Sequence, residues 1–276
     1  MPILGNTRFM YPITPSGRTS LLEIATNPTH RIAGDSLIIG FEADPAVVRE
    51  FVPEPLELDG SGLIYLWTYD GWFYADSYAT EEVAMERMNF TESFFWIPCD
   101  YRGERYHYML FSWTTRDWLA YLGRAIGQPH KIGKVQMTRF HPAERVYHGP
   151  GPDVRVTVNV ECVGEVLRAH CDLERRVDPG ETPFRISDDY CPRFLGHRFF
   201  WDACEDRPAV NDLVCHWGDA MTLGEIWSGP ADLRFLAAEN EEVLPFQPRR
   251  VLGGWWFTLR FDHKQSTPYV VHRFED

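Results

Sequence analysis

Valine and polar residues alternate along positions 153–161, and this two-residue period predicts a strand with one face in a hydrophobic core. A turn signal at Gly164 separates this strand from a second apolar run at 165–172, so the pair predicts a β-hairpin. An Asp-Pro pair begins a predicted short helix at 46–51. Other β-forming runs bounded by Pro, Gly and Asp predict strands at 36–43, 63–70, 90–97, 106–114, 133–140, 194–200, 231–237 and 250–261.

A longer helix is predicted over 116–126. Its apolar residues Leu119, Leu122 and Ile126 recur at helical spacing, and Gly127 supplies a stop signal. The residues that follow therefore lie at a junction between a helix and a strand. Such junctions on β-rich scaffolds commonly present functional side chains.

These elements predict an α+β fold. We expect a single domain over residues 1–276, dominated by antiparallel β-sheet that closes into a barrel-like core, with few short helices. No charge run, linker or repeat divides the sequence. A chain of 276 residues is long enough to bury a substantial core in this way.

The charge and hydropathy of the chain argue against nucleic acid and membrane as binding partners. The formal net charge of −13 argues against a nucleic-acid or anionic membrane surface, because both require concentrated positive charge. No apolar run approaches the length of a membrane span, and the first residues lack the pattern of a secretory signal. We therefore expect a cytoplasmic protein that binds neither nucleic acid nor membrane.

Cysteine and histidine spacing gives no sign of a metal centre. The six cysteines are scattered without a C-x-x-C pair, in a chain too large to need disulfides, so reduced thiols are expected. The ten histidines show none of the common metal-binding spacings. The sequence predicts neither a metal nor another cofactor.

Lysine usage is the most unusual chemical feature of the chain. Only three of the 27 basic residues are lysines, and Lys131 and Lys134 share one short segment. Arginine can pair carboxylates and cover apolar surface, whereas an amine that attacks a carbonyl must come from lysine. Lys131 is therefore a candidate nucleophile, and the alternative is an ordinary surface lysine in a turn.

Four segments in order resemble the acetoacetate decarboxylase superfamily. They are spread over most of the chain, and the ordered set is more specific than any one motif. The segments are VPEPLEL at 52–58, FTES at 90–93 leading to Ile97-Pro98, GRAIGQPHKIG at 123–133, and EIWSGP at 225–230 followed by ADLRF.

The resemblance implies a lysine that forms an imine with a substrate ketone, but the chain departs from the family pattern there. With Pro129 aligned, His130 falls at the imine-forming position and Lys131 at its neighbour. Two readings stay open: Lys131 forms the imine with His130 beside it, or His130 acts as acid or base without an imine. A two-residue strand period would point the two side chains to opposite faces.

The resemblance also implies supporting residues. Glu92 matches a pocket glutamate that shuttles protons, and Arg124 matches an arginine that can bind a substrate carboxylate. An outward-facing Glu92, and an Arg124 that binds helix-end carbonyls, are the structural alternatives. Gln128 and Arg31 are further substrate-binding candidates. Trp67 replaces another pocket glutamate and favours a more apolar cavity, suited to a bulkier or aromatic substrate.

Together these residues imply a lyase acting on a keto acid or enone. Ala125 and Gly34 replace two charged family residues, which favours aldolase-dehydratase or hydratase chemistry over decarboxylation of acetoacetate. The alternatives are an imine-independent acid-base lyase using His130 and Glu92, and a noncatalytic binder of an aromatic metabolite. The expected partners are a small-molecule keto acid or aromatic metabolite and further copies of the chain in a homo-oligomer.

Overall fold

The computed structural model describes residues 29–75, 89–145, 147–184, 193–216, 220–239, 241–264 and 268–274. Most of these residues lie in strands. The strands are β1 Thr29–Glu42, β2 Leu63–Ala75, β3 Asn89–Tyr101, β4 Glu104–Thr114, β5 His130–Ile132, β6 Lys134–Met137, β7 Val154–Cys162, β8 Gly164–Leu173, β9 Arg175–Val177, β10 Phe194–Asp202, β11 Arg207–His216, β12 Ala220–Gly229, β13 Ala231–Phe235, β14 Arg250–Lys264 and β15 Tyr269–Arg273.

The described helices are few and short. Helix α1 is Pro45–Phe51, helix α2 is Asp117–Ala125, and two 3-10 turns lie at Pro179–Glu181 and Leu244–Phe246. Asp44 begins α1 by accepting a hydrogen bond of 3.0 Å from the backbone of Ala46. No helix in the described part of the chain is long and apolar enough to cross a membrane.

A large sheet of 11 strands forms the body of the molecule. Its order is β15-β11-β10-β4-β3-β2-β1-β14-β12-β9, and β5 pairs with β4 beside this path. Strand β10 and strand β5 both run parallel to β4, so the sheet is mixed. A second sheet of four strands has the order β13-β8-β7-β6.

The two sheets share one hydrophobic core, as in a single domain. The alternating valines of β7 supply its small-sheet side, where Val156, Val158 and Val160 are fully buried. Leu37, Phe95 and other residues of the large sheet pack against them. As the sequence pattern predicts, β7 and β8 alternate because one face of each strand is buried in this core.

The opposite face of the large sheet carries a second buried group, called here the aromatic cluster. Its rings contact one another edge to face, tilted or stacked, at centroid distances such as 5.4 Å for Trp67 and Phe94. Its aromatic members are Tyr65, Trp67, Tyr69, Phe90, Phe94, Trp96, Phe184, Phe194 and Phe257.

The predicted elements are largely confirmed, with two corrections. Both helices, the hairpin and most of the predicted strands lie where the patterns predict them. The predicted barrel-like closure is wrong for the described residues, in which neither sheet closes, and the large sheet is mixed where an antiparallel one was expected. The predictions also missed five strands, whose short or irregular apolar runs carry no clear period: β5, β9, β11, β12 and β15.

Candidate active site

Strand β5 is held between β4 and the end of helix α2. It pairs in parallel with β4, with Ser112 opposite His130 and Trp113 opposite Lys131. The side chain of Arg124 donates from Nε to the His130 carbonyl at 2.9 Å, which ties α2 to the strand. Since paired residues of parallel strands share a face, His130 lies on the side of Ser112 and Lys131 on the side of Trp113.

His130 and Glu92 form a close pair. The distance from His130 Nε2 to Glu92 Oε1 is 2.6 Å. The imidazole is fully buried, whereas the side chain of Glu92 keeps 12% of its surface exposed and is therefore reachable by a ligand. Ser112 donates from Oγ to the same carboxylate oxygen at 3.0 Å, which fixes the orientation of the carboxylate.

The hydrogen bonds of His130 limit where its protons can sit. Its Nδ1 lies 3.0 Å from the carbonyl oxygen of Leu119, and because a carbonyl only accepts, Nδ1 carries a hydrogen. The contact between Nε2 and Glu92 then requires one more hydrogen, on the imidazole or on the carboxyl group. The pair therefore holds one shared proton, which it can give to or exchange with a substrate.

Lys131 lies on the other side of β5. Its Nζ binds Glu241 Oε2 at 3.1 Å, where the lysine side chain is 42% exposed and the glutamate side chain 1% exposed. The structure does not bring Lys131 together with Glu92 and His130, although the family resemblance made it the first candidate. The reason is the two-residue alternation of a strand. Formation of an imine by Lys131 stays a prediction.

Gln128 lies near His130 and has a hydrogen-bond partner of its own, His216. Its Nε2 lies 3.2 Å from Nε2 of His216, a buried residue whose ring stacks on Phe194. Gly127 crosses Gly196 so closely that an added Cβ at either glycine would meet the other backbone within 2.7 Å. This contact brings the loop that carries Gln128 against β10 and β11.

The remaining predicted substrate-binding residues lie at different depths. Trp67 is buried in the aromatic cluster and donates from Nε1 to Ser36 Oγ at 3.1 Å. It is paired with Phe94, two residues along the strand from Glu92, so its ring lies on the same face of the sheet as the Glu92 carboxylate. Arg31 belongs to β1, and its side chain lies outside the described part of the structure.

Burial keeps two titratable side chains neutral, His107 beside the aromatic cluster and Tyr69 within it. Desolvation, with a smaller contribution from Arg105, lowers the pKa of His107 to about 3, so this buried imidazole is neutral near pH 7. Its ring lies 4.4 Å from that of Trp96. Desolvation, followed by the charges of Asp35, Asp70 and Glu92, raises the pKa of Tyr69 well above its usual value. The aromatic side chains on the Glu92 face of the sheet, Tyr69 among them, are therefore neutral and largely apolar near pH 7.

Three contributors to the site were missed by reasoning from the sequence. They are the hydroxyl of Ser112, the backbone carbonyl of Leu119 and the bare α-carbon of Gly123. Gly123 belongs to the quoted family segment, which was the one signal that pointed to it. Among the described residues, no group of His, Cys, Asp or Glu side chains is arranged to hold a metal ion.

Comparison with known proteins identifies the class of protein. The family model described as Acetoacetate decarboxylase (ADC) matches residues 10–273. The chain therefore belongs to the acetoacetate decarboxylase family, whose members compared below are enzymes. A search of curated proteins found no match.

Solved structures share the fold at low sequence identity. An acetoacetate decarboxylase-like enzyme from Sphingomonas wittichii RW1 has 21% identity and a TM-score of 0.84, with 96% of this chain and 98% of that chain covered. The enduracididine biosynthesis enzyme MppR, complexed with the condensation product of pyruvate and imidazole 4-carboxaldehyde, has 19% identity and a TM-score of 0.82, with 96% of each chain covered. An acetoacetate decarboxylase has 15% identity and a TM-score of 0.74, with 94% and 96% covered.

Proposed function

We propose that this protein is an acid-base lyase that adds or eliminates water at a small carbonyl compound without forming an imine. The observation that carries the proposal is the 2.6 Å contact between His130 and Glu92. A buried imidazole and a reachable carboxylate that share one proton are the parts needed for general acid-base catalysis.

The proton count of the pair fits an elimination. With the shared proton on His130, the Glu92 carboxylate takes the hydrogen from the carbon next to the substrate carbonyl and then gives that proton to the departing hydroxyl, since the buried imidazole has both nitrogens engaged. Water leaves, a carbon-carbon double bond forms, and the pair again holds its one shared proton. The reverse sequence adds water to an enone.

The position of Lys131 argues against an imine in this pocket. Its amine binds a buried carboxylate on the opposite side of β5, and to reach Glu92 it would have to leave that carboxylate without its charged partner. Decarboxylation of a 3-keto acid needs an electron sink, which the family's imine provides and His130 cannot provide covalently. Hydration or dehydration therefore fits the described residues better than decarboxylation.

The surroundings and the relatives support a substrate class. The structure of MppR holds a condensation product of pyruvate, and a second MppR structure holds pyruvate, which supports a keto acid or enone as substrate. The aromatic side chains on the Glu92 face of the sheet favour a substrate with an apolar or aromatic body, since flat rings pack favourably against aromatic side chains.

Proton exchange tests the proposal without knowledge of the final product. Purified protein is incubated in D₂O with a panel of 2-oxo acids, 3-oxo acids and aryl enones, and deuterium on the carbon next to the carbonyl is followed by NMR. We expect exchange with at least one class of compound. Replacement of Glu92 by Gln or His130 by Asn should reduce the rate by about 10²–10⁴-fold, the usual contribution of a general acid or base.

Borohydride trapping is the matched test for the imine. Reduction of protein incubated with the same compounds should add no ligand mass to the peptide that contains Lys131. An adduct on Lys131, or undiminished exchange in both variants, would contradict the proposed chemistry. Circular dichroism of each variant serves as the control that the fold is retained.

A further inference from the structure

Gly123 lies where helix α2 meets the catalytic imidazole. A Cβ added to this glycine would lie 1.9 Å from His130 Nδ1 and 2.3 Å from His130 Cε1. Both distances are far below van der Waals contact, and the atoms belong to a buried ring that β5 and Glu92 hold in place. Only a glycine at this position leaves room for the imidazole.

The absence of a side chain at Gly123 also leaves the Leu119 carbonyl accessible to His130. Leu119 is four residues before Gly123, so its carbonyl points along the helix toward the glycine. The carbonyl accepts the hydrogen of His130 Nδ1 at 3.0 Å in addition to its place in the helix. A side chain at Gly123 would occupy the path between this carbonyl and the ring.

We infer that Gly123 is a positioning residue of the active site. Its missing side chain forms a slot in α2 that admits His130, allows the bond to Leu119, and so directs Nε2 at Glu92. Gly123 itself touches no reacting atom, and its effect passes through the imidazole. This inference rests on the proposed function only for the consequence on the reaction rate, because the slot is a matter of geometry.

A double-mutant cycle separates the slot from ordinary helix stability. Alanine is a better helix former than glycine, so Gly123→Ala alone would normally stabilise α2. We expect the opposite: a lower melting temperature while His130 is present, and an unchanged or higher one when Gly123→Ala is added to His130→Ala. Gly149→Ala is the matched control, because a Cβ there meets nothing within 4 Å.

A spectroscopic readout follows the position of the ring directly. In protein with ¹⁵N-labelled histidine, the proton shared by His130 and Glu92 should give a downfield NMR signal, as expected for a short charge-assisted hydrogen bond. The signal is assigned by its loss in His130→Ala. It should be lost or clearly shifted in Gly123→Ala and unchanged in Gly149→Ala.

The kinetic readout completes the test. In the D₂O exchange assay, Gly123→Ala should lower kcat by about 10²-fold or more and change KM by less than about threefold, because substrate contacts remain. If the unaltered protein shows no exchange with any compound, the proposed function is wrong. The double-mutant cycle and the NMR signal still test whether Gly123 positions His130.

Each outcome has a defined meaning. If Gly123→Ala does not fold but the double variant does, the imidazole is what the added methyl group strikes, and the inference holds. If Gly123→Ala keeps the shared-proton signal and its melting temperature, the inference is overturned. It is equally overturned if the alanine destabilises the protein by the same amount with and without His130.

Discussion

The two oxygens of Glu92 have different surroundings. Oε1 accepts from Ser112 and contacts His130, whereas Oε2 has no hydrogen-bond partner among the described residues. Because the Glu92 side chain keeps 12% of its surface exposed, the oxygen that contacts no protein donor can meet a substrate hydrogen. Oε2 is therefore the atom that we expect to remove the substrate proton, while Oε1 keeps the connection to the imidazole.

A second histidine has a separate, measurable effect on stability. His107 is buried with a pKa of about 3 in the folded protein, whereas an exposed histidine titrates near 6.5. Below pH 6.5 the unfolded chain binds a proton that the folded protein does not bind, so stability falls as the pH falls toward 3. Above pH 6.5 the two states bind this proton equally and the effect vanishes.

Replacing His107 by Leu should remove this effect. Between pH 7 and pH 4, the unaltered protein should lose about 3 kcal/mol of unfolding free energy through this one residue. The total loss measured for the variant should therefore be smaller than that of the unaltered protein by about 3 kcal/mol. Urea unfolding at the two pH values provides the measurement. Equal losses in both proteins would show that His107 does not supply the acid sensitivity, and the exposed His148 offers a control substitution.

At the scale of one strand, the two faces of β5 carry side chains with different partners. Lys131→Gln should keep the proton-exchange rate within about twofold, because the amine lies away from Glu92. It should lower the unfolding free energy by about 1 kcal/mol, since the buried Glu241 carboxylate loses a charged donor, and the partial exposure of the lysine limits the loss.

Lys134→Gln is the control for this substitution. Lys134 binds Glu161 at the surface, with both side chains at least one-third exposed, so its loss should cost less than about 0.5 kcal/mol. Abolished exchange in Lys131→Gln alone would restore the imine mechanism. Chemical unfolding and the D₂O assay on the three proteins give both quantities.

The elements also show what a sequence can and cannot predict here. The valine alternation of β7 was enough to locate the hairpin, and the shared motifs pointed to Glu92 and His130. Strand β5 was missed because it has three residues and exists through its parallel pairing with β4. The Leu119 carbonyl was missed for a related reason, since every residue has a carbonyl and only the fold decides which one meets an imidazole.

At the scale of the whole molecule, the surface carries many ion pairs and an excess of negative charge. Pairs such as Arg155 with Asp172 and Arg175 with Glu181 are well exposed, so solvent screens them and each contributes little to stability. The net charge of −13 opposes compaction through self-repulsion. Salt therefore weakens both the attraction within the ion pairs, which stabilises the fold, and the repulsion between like charges, which destabilises it.

Raising the NaCl concentration from about 0.02 M to about 0.5 M should change the melting temperature by less than about 4 °C, with a small rise favoured, since a shorter screening length relieves the repulsion. Differential scanning calorimetry at constant pH is the measurement. A fall of more than about 5 °C would show that the surface pairs, taken together, hold the fold.

At the scale of the whole molecule, the predicted barrel is wrong for the part of the chain that the structure describes. Alternation indicates which face of each strand is buried, but closure depends on the partners of the last strands, β15 and β9, which the short apolar runs did not reveal. The shared core of the two sheets could be predicted from β7 and β8, whereas the mixed pairing around β4 could not.

The loop between Gly127 and His130 has a consequence for how related chains can diverge. Because β5 alternates faces, its register against β4 decides which of two adjacent side chains meets Glu92. Insertion or deletion of one residue in this loop would interchange an imidazole and an amine without altering either residue. In the proposed chemistry, the length of this short connection, as much as the amino acids it joins, selects between proton transfer and covalent attack on a carbonyl.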